Sequence, residues 1–284
     1  GALSLLLGAF PTDIRRQNTA VMVGAGAVSL GCAAMLGSSW SLSATAWGVV
    51  CGLMWTGGQV FVLWAFRAWG VSRTMPLTTA LQLLLNATLG VSLFGEWRAP
   101  GALILGVVAL ALIMLGAAAC SWQERTGPGP TAAQRRDGLL ATAASAILYG
   151  SYPSLLRAVE VPPAHAVGPM GLGLLAGAGL CALILPRRAP LRGPRIVPAA
   201  LAGGLWAVGN ALMLRSTAAV GVASGFTLSQ LGFVLATLGG LTILGEERTG
   251  RERTAVAAGV TAAVFGLVLM GLATGMDTGA SPSQ

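Results

Sequence analysis

The chain has 284 residues, of which 55% are hydrophobic and only 9% are charged, and its mean hydropathy is +0.76. A soluble domain carries about 25% charged residues, so this composition excludes a water-soluble globular protein and predicts a surface that faces an apolar phase. The net charge of +8 does not indicate a nucleic-acid partner, because the arginines lie between apolar stretches and form no patch with interleaved aromatic residues. The four cysteines are scattered without metal-ligand spacing and predict neither a disulfide nor a metal site.

Long apolar stretches follow one another along the whole chain. Most reach the roughly 20 residues that a helix needs to cross a hydrocarbon core of about 30 Å. The expected bounds are 1–11, 19–37, 44–66, 74–94, 100–119, 139–156, 166–185, 197–216, 222–244 and 254–274. The sequence therefore predicts an all-α polytopic membrane protein with ten transmembrane helices.

The longest polar break, 121–138, divides these spans into two groups of five. Gly127-Pro128-Gly129-Pro130 lies at its centre, which is typical of a flexible linker. We expect a first five-helix repeat over 1–122, a cytoplasmic linker over 123–138, a second repeat over 139–274 and a disordered tail over 275–284. The first span is too short to cross a bilayer, so we expect a truncated helix that lacks about ten apolar residues before Gly1.

Arginine placement predicts which way the spans point, because cytoplasmic loops carry an excess of basic residues. One set of span ends holds fourteen arginines, and the other holds only Arg98, Arg157 and Arg215. The first set is predicted to be cytoplasmic, which places the C-terminus outside.

Two parts of the chain resemble each other at a separation of 150–151 residues. The matched segments are Trp55-Thr56-Gly57-Gly58-Gln59 with Trp206-Ala207-Val208-Gly209-Asn210, Gly70-Val71-Ser72 with Gly221-Val222-Ala223, and Gly95-Glu96 with Gly245-Glu246. Five predicted spans separate the copies, and an odd number turns the second copy over in the membrane. The pattern predicts two inverted repeats, as in many secondary transporters.

Polar side chains in the middle of spans are costly in a membrane and therefore indicate function. Gln59 and Asn210 occupy matched positions, one helical turn after Trp55 and Trp206. An aromatic ring can stack on the apolar face of a sugar while an amide bonds to its hydroxyls. Each amide could instead join two helices by a hydrogen bond. We expect the matched pair to bind substrate.

A second polar group lies in the fourth and ninth predicted spans. Gln82 and Gln230 are its main candidates, because their long amides do not readily bond to their own helix. The secondary candidates are Thr78, Thr79, Asn86 and Thr227, with Tyr149 and Tyr152 of the sixth span, where Pro153 suggests a broken helix that borders a cavity.

Charged residues are predicted to lie at span ends only. Glu96 and Glu246 oppose the dipoles of the helices they end, so each needs a partner, for which Arg98 and Arg248 are the expected candidates. No carboxylate, lysine or histidine lies in the middle of a span, which predicts a neutral substrate and leaves proton coupling without an evident relay. The sequence predicts no catalytic residue, metal ligand or cofactor.

These motifs resemble those of the bacterial glucose-uptake (glucose/ribose porter) family of the drug/metabolite transporter superfamily. The resemblance is carried by 55–97, with Gly58-Gln59, Gly70-Val71-Ser72-Arg73-Thr74-Met75-Pro76 and Gly95-Glu96-Trp97, and by 206–247, with Gly209-Asn210, Ser229-Gln230 and Gly239-Gly240. It implies ten helices and uptake of a neutral, glucose-like sugar across the bacterial cytoplasmic membrane, with a proton as the candidate coupling ion.

Two other functions remain as alternatives. A drug or metabolite exporter could share the fold, although an exporter of cationic drugs would be expected to hold an acidic residue inside a span. A membrane-embedded enzyme is disfavoured because the single histidine, His165, is predicted to lie in a loop, far from any serine motif or aspartate pair.

Overall fold

The computed structural model describes residues 13–35, 37, 39–122, 124, 130–186, 190–191, 193, 196–230 and 249–280. The regular structure in these ranges is entirely helical. The helices are α1 (Ile14–Met35), α2 (Leu42–Trp69), α3 (Val71–Phe94), α4 (Ala102–Ser121), α5 (Ala132–Ala158), α6 (Pro163–Ile184), α7 (Ile196–Val220), α8 (Val222–Ser229) and α9 (Gly250–Ala280).

Eight of these helices, all except α8, contain a stretch long and apolar enough to cross a membrane. They correspond to eight of the ten predicted spans and confirm a polytopic helical membrane protein. The predicted span 1–11 lies outside the described residues. The ninth predicted span begins as α8, and its continuation after residue 230 also lies outside them.

Several helices begin earlier than predicted, and at two of them a polar cap extends the helix beyond its apolar stretch. At α5, Thr131 and Gln134 form a reciprocal capping box, and the helix begins at Ala132 rather than near 139. At α9, the Glu252 carboxylate accepts from the Thr249 N–H at 3.1 Å, and the helix begins at Gly250. It continues to Ala280, where the sequence predicted a tail from residue 275.

Tight helix crossings hold the bundle together. The main packed pairs are α4 with α9, α1 with both α6 and α7, α2 with both α5 and α6, and α3 with both α5 and α8. Glycines allow the closest approaches: a Cβ on Gly116 of α4 would lie 2.6 Å from the Gly259 carbonyl oxygen of α9. Lipid tails are as apolar as the side chains, so such van der Waals contact between backbones is a main source of stability.

The described arginines lie at the ends of the bundle that the sequence assigned to them. At the end where α1, α5 and α9 begin, Arg67 pairs with Asp13 at 3.6 Å and Arg251 pairs with Glu124 at 3.7 Å. We call this the arginine-rich end. Arg157, at the last turn of α5, lies at the other end, which we call the arginine-poor end.

Candidate functional site

The two matched tryptophans meet in the core. Trp55 on α2 is 4% exposed, and Trp206 on α7 is partly buried beside it. The centroids of these two rings lie 3.8 Å apart, and the ring planes are tilted by 30°. The ring centroid of Tyr149, on α5, lies 5.5 Å from that of Trp55. The sequence repeat therefore brings one aromatic ring from each half into direct contact.

The two matched amides lie beside these rings and are almost completely buried. Gln59 and Asn210 are each 4% exposed. The Tyr149 hydroxyl donates to Gln59 Oε1, and the Tyr152 hydroxyl donates to Asn210 Oδ1 at 2.6 Å. The Asn210 amide nitrogen donates to the sulfur of Met170 at 3.3 Å, which is a weak acceptor. The amide nitrogen of Gln59 has no hydrogen bond to any described residue.

The second polar group forms one face of α3. Thr78, Gln82 and Asn86 follow one another at four-residue spacing and are 4%, 8% and 0% exposed. The Asn86 side-chain nitrogen donates to the main-chain oxygen of Gln82 at 2.9 Å, and Ser154 of α5 donates to Asn86 Oδ1 at 3.2 Å. The Thr78 hydroxyl is buried and has no hydrogen-bond partner among the described residues. Asn86 is thus linked to α5, the helix that also carries both tyrosines.

The remaining candidates lie at the edges of this region. The hydroxyl of Thr227 donates to its own helix, to the Ala223 carbonyl at 2.5 Å, as buried threonines commonly do. Gln230 is the partly buried C-cap residue of α8, and Thr79 is partly buried on α3. No hydrogen bond in the described part of the chain joins these three residues to the tryptophans or to the matched amides.

The expected break at Pro153 is wrong, because α5 runs unbroken from Ala132 to Ala158 with Pro153 inside it. Proline in a membrane helix is tolerated where neighbouring groups satisfy the freed backbone oxygens. The thiol of Cys51 on α2 also packs against this part of α5, 3.8 Å from the Tyr152 carbonyl oxygen. Tyr149 and Tyr152 therefore lie on a continuous helix, and their hydroxyls contact the matched amides.

The partner of Glu96 differs from the expected Arg98. Its carboxylate accepts hydrogen bonds from the N–H groups of Val222 at 2.7 Å and Ala223 at 2.8 Å, and it pairs with Arg157. The start of α8 offers unpaired N–H groups and the positive end of a helix dipole, and Arg157 adds a full positive charge. We call these four residues the Glu96 clasp.

The loop that follows Glu96 is fixed by α9 and α8. Asp277 of α9 accepts hydrogen bonds from the N–H groups of Trp97 and Ala99, the second at 2.9 Å. The Trp97 indole donates to Ser224 at 3.2 Å. A cavity of about 510 Å³ lies here, at the arginine-poor end. The roles of Arg157, Asp277 and Ser154 were missed from the sequence, and the only signal, that Glu96 needed a partner, concerned Arg157.

Comparison with known proteins agrees with the resemblance in the motifs. The family described as sugar transport protein matches residues 1–273. The chain belongs to this family. A protein of Listeria innocua named as a sugar uptake protein is 33% identical over 278 residues, which cover 97% of this chain and 95% of that protein. The glucose uptake protein GlcU of Bacillus subtilis is 34% identical over 227 residues, which cover 80% of this chain and 78% of that protein.

A solved crystal structure has the same fold. It matches with a TM-score of 0.67 at 21% identity and covers 95% of this chain and 92% of that chain. Together with the eight apolar helices, membership of the sugar transport protein family confirms a multi-pass protein of the bacterial cell membrane.

Proposed function

We propose that the protein is a secondary transporter that takes up a neutral, glucose-like sugar across the cytoplasmic membrane. The observation that carries this proposal is the buried group of Trp55, Trp206, Gln59 and Asn210, which supplies aromatic rings and amides from both parts of the sequence repeat. Rings of this kind pack on the apolar face of a sugar, and amides bond to its hydroxyls. The glucose uptake protein of Bacillus subtilis, a relative at 34% identity, supports the same substrate class.

The substrate-binding residues in this proposal are those that the sequence indicated. Trp55, Gln59, Trp206 and Asn210 form its centre, and Gln82 and Gln230 extend it along α3 and α8. The secondary positions are Thr78, Thr79, Asn86, Tyr149, Tyr152 and Thr227. The buried carboxylates among the described residues, Glu96 and Glu252, lie near helix ends, which favours a neutral solute at the centre.

The proposal includes ten helices in two inverted repeats, 1–122 and 139–274. Two glycines 151 residues apart support it: Gly70 has φ 95° and ψ 157°, and Gly221 has φ 92° and ψ 162°. Each lies directly before the helix that carries a glutamine candidate. Packing also pairs equivalent helices of the two repeats, α1 with α6, α3 with α8 and α4 with α9, as expected for a two-fold relation.

The proposed mechanism is alternating access, in which the two repeats rock around the central site. The ring centroids of Trp55 and Trp206 are 3.8 Å apart, so a sugar can enter between them only when the repeats separate. The Glu96 clasp opposes that separation at the arginine-poor end, because it ties the end of α3 to the start of α8. Its release accompanies opening toward that side.

Uptake of labelled glucose into proteoliposomes tests the proposal. We expect saturable uptake that unlabelled glucose-like sugars compete away and that protein-free liposomes lack. An inward proton gradient raises accumulation above equilibration if a proton accompanies the sugar, and it leaves accumulation unchanged if the protein is a facilitator. Absence of uptake for a panel of neutral sugars, with transport of a drug or another metabolite out of loaded vesicles, would overturn the proposal in favour of an exporter.

A further inference from the structure

Three hydroxyls of α5 donate to three amide oxygens on three other helices. Tyr149 donates to Gln59 Oε1 on α2, Tyr152 to Asn210 Oδ1 on α7, and Ser154 to Asn86 Oδ1 on α3. All three amides are buried. A single helix therefore sets the orientation of amides that belong to both parts of the sequence repeat.

A carboxamide whose oxygen is held by a hydroxyl must direct its N–H groups elsewhere, because the oxygen and the nitrogen lie on opposite sides of one planar group. The Gln59 nitrogen has no described hydrogen-bond partner, and the Asn210 nitrogen donates only to a sulfur atom. The indole N–H groups of Trp55 and Trp206 also have no hydrogen bond to described residues. Among the described residues, the donors that remain unpaired around the tryptophan pair are therefore the Gln59 amide N–H groups and the two indole N–H groups.

We propose that Tyr149 and Tyr152 are positioning residues that lock the amides of Gln59 and Asn210 with their N–H groups directed at the substrate. The site then recognises the lone pairs of sugar oxygens through these N–H groups, and each amide oxygen keeps one lone pair beside its bond to tyrosine. This inference rests on the proposed function, since it concerns how the same site selects a sugar.

The close approach of α5 to α2 allows the contact between Tyr149 and Gln59. Gly58 precedes Gln59, and a Cβ at Gly58 would lie 2.7 Å from the Tyr149 ring. Any larger residue there would push the ring, and with it the hydroxyl, away from the amide. Tyr149 also lies 5.5 Å from the Trp55 ring, so its aromatic body is held by packing independently of its hydroxyl. Tyr149→Phe consequently removes the hydrogen bond and leaves the ring in place.

Sugar analogues test the direction of the hydrogen bonds. A deoxyfluoro sugar keeps lone pairs at the altered position and loses the O–H donor, whereas a deoxy sugar loses both. We expect the wild-type protein to bind the deoxyfluoro analogue more tightly than the deoxy analogue at the positions that face the amides, by about 2- to 5-fold for one weak hydrogen bond. In Tyr149→Phe or Tyr152→Phe, each freed amide can turn over, and this ratio should fall toward 1.

Double-mutant cycles identify which amide each tyrosine serves. Tyr149→Phe should weaken glucose affinity about 2- to 10-fold in the wild type and have almost no further effect in Gln59→Leu. The crossed pair, Tyr149→Phe with Asn210→Leu, serves as the matched control and should show additive effects. Tyr152→Phe should couple to Asn210→Leu in the same way.

The outcomes separate this inference from the proposed function. Failure of the wild type to bind any neutral sugar overturns both. Binding by the wild type, with the deoxyfluoro-to-deoxy ratio unchanged in both tyrosine variants, overturns the positioning role alone. A lower melting temperature with that unchanged ratio would mean that the hydroxyls only join helices. A ratio below 1 in the wild type would mean that the amide oxygens face the sugar, and it would also overturn the inference.

Discussion

Glu96, which follows the end of α3, accepts a 2.7 Å hydrogen bond from the N–H of Val222, the first residue of α8. A second carboxylate oxygen accepts from Ala223 at 2.8 Å, so one side chain satisfies two of the N–H groups that the start of a helix leaves unpaired. Arg157, from the end of α5, supplies the countercharge. The contact joins the two parts of the sequence repeat at the arginine-poor end. Substitution of either charged residue measures its contribution to the free energy of unfolding.

Removing the carboxylate should cost more stability than removing the arginine. Glu96→Gln leaves an N–H of α8 facing the new amide nitrogen and leaves Arg157 uncompensated, and we expect a loss of about 2–3 kcal/mol. Arg157→Gln should cost about 1 kcal/mol or less, because its side chain is 35% exposed and the carboxylate keeps both backbone donors. Thermal unfolding in detergent measures both. Asp137→Asn, in an exposed pair with Arg136, is the control and should be neutral. Equal losses at Glu96 and Arg157 would contradict the helix-capping role.

Gly221 and Gly70 provide a matched pair of backbone tests. Both have φ above 90°, in a region that only glycine adopts readily, so alanine at either position should cost about 1–3 kcal/mol through strain. At Gly221 the new Cβ would also lie 2.5 Å from Glu96 Oε2, whereas no described atom lies within 4 Å of it at Gly70. We therefore expect the larger loss at Gly221, measured as the melting temperature. Gly31→Ala, in open space on α1, is the control. A larger loss of melting temperature at Gly70 would show that the Glu96 side chain moves away from the new methyl group at little cost.

Gln59→Leu and Asn210→Leu decide whether the amides bind sugar or join helices. If they bind sugar hydroxyls, we expect transport affinity to fall about 5- to 150-fold, corresponding to roughly 1–3 kcal/mol for unpaired groups in a dry site. If they only join helices, stability should fall by about 1 kcal/mol with affinity intact. The measurement is uptake affinity beside melting temperature. The control is Asn18→Leu, a buried amide that donates to Cys181 on α6. Intact affinity in both site variants would move the search to Gln82 and Gln230.

The stacked tryptophans should report sugar binding through their own fluorescence. Because the rings of Trp55 and Trp206 are in contact, a sugar that separates them changes the environment of both. We expect a glucose-dependent change in emission that is smaller in Trp206→Phe, where Trp55 alone reports, and lost when Trp55→Phe is added. Affinity should be about 2- to 10-fold weaker in Trp206→Ala through lost stacking. Trp64→Phe, at a side chain that is 47% exposed on α2, should leave both properties unchanged. A glucose-dependent signal that survives in the variant with both substitutions would place the sugar elsewhere.

Eight of the nine described helices could be predicted from the sequence because each contains a long apolar stretch. The boundaries failed where polar caps, Thr131 at α5 and Thr249 at α9, extend a helix beyond its apolar residues. Hydropathy reflects the free energy of transferring residues into lipid, whereas a cap stabilises the first helical turn in water. The apolar stretch and the helix therefore need not begin at the same residue.

Only those residues of the candidate site that occupy matched positions of the repeat could be predicted from the sequence. Two pairs of residues could be identified because their members occupy matched positions of the repeat: Trp55 with Trp206, and Gln59 with Asn210. Their partners are set by tertiary packing: the Tyr149 hydroxyl reaches Gln59 across 90 residues, and Arg157 reaches Glu96 across 61. No spacing rule links such distant positions, and the arginine nearest to Glu96 in sequence was the wrong choice.

Arginine distribution predicts the direction of the whole bundle in the membrane. The structure places Arg67 and Arg251 at one end, paired with Asp13 and Glu124, and Arg157 at the other. Because retained arginine favours the cytoplasmic side, the arginine-rich end should face the cytoplasm and the Glu96 clasp should face outward.

Reporter fusions test this orientation without reference to transport. An enzyme active only in the cytoplasm should score positive when fused after Arg136, near the start of α5, or after Arg192. It should score negative after Arg98 or after Gln284. A periplasmic reporter at the same four positions is the matched control and should give the reverse pattern, with comparable expression on immunoblots.

If the fusion at the C-terminus were cytoplasmic while the one after Arg98 stayed outside, an odd number of spans would separate these two positions. The inverted repeat would then have to be abandoned, even if glucose uptake were confirmed.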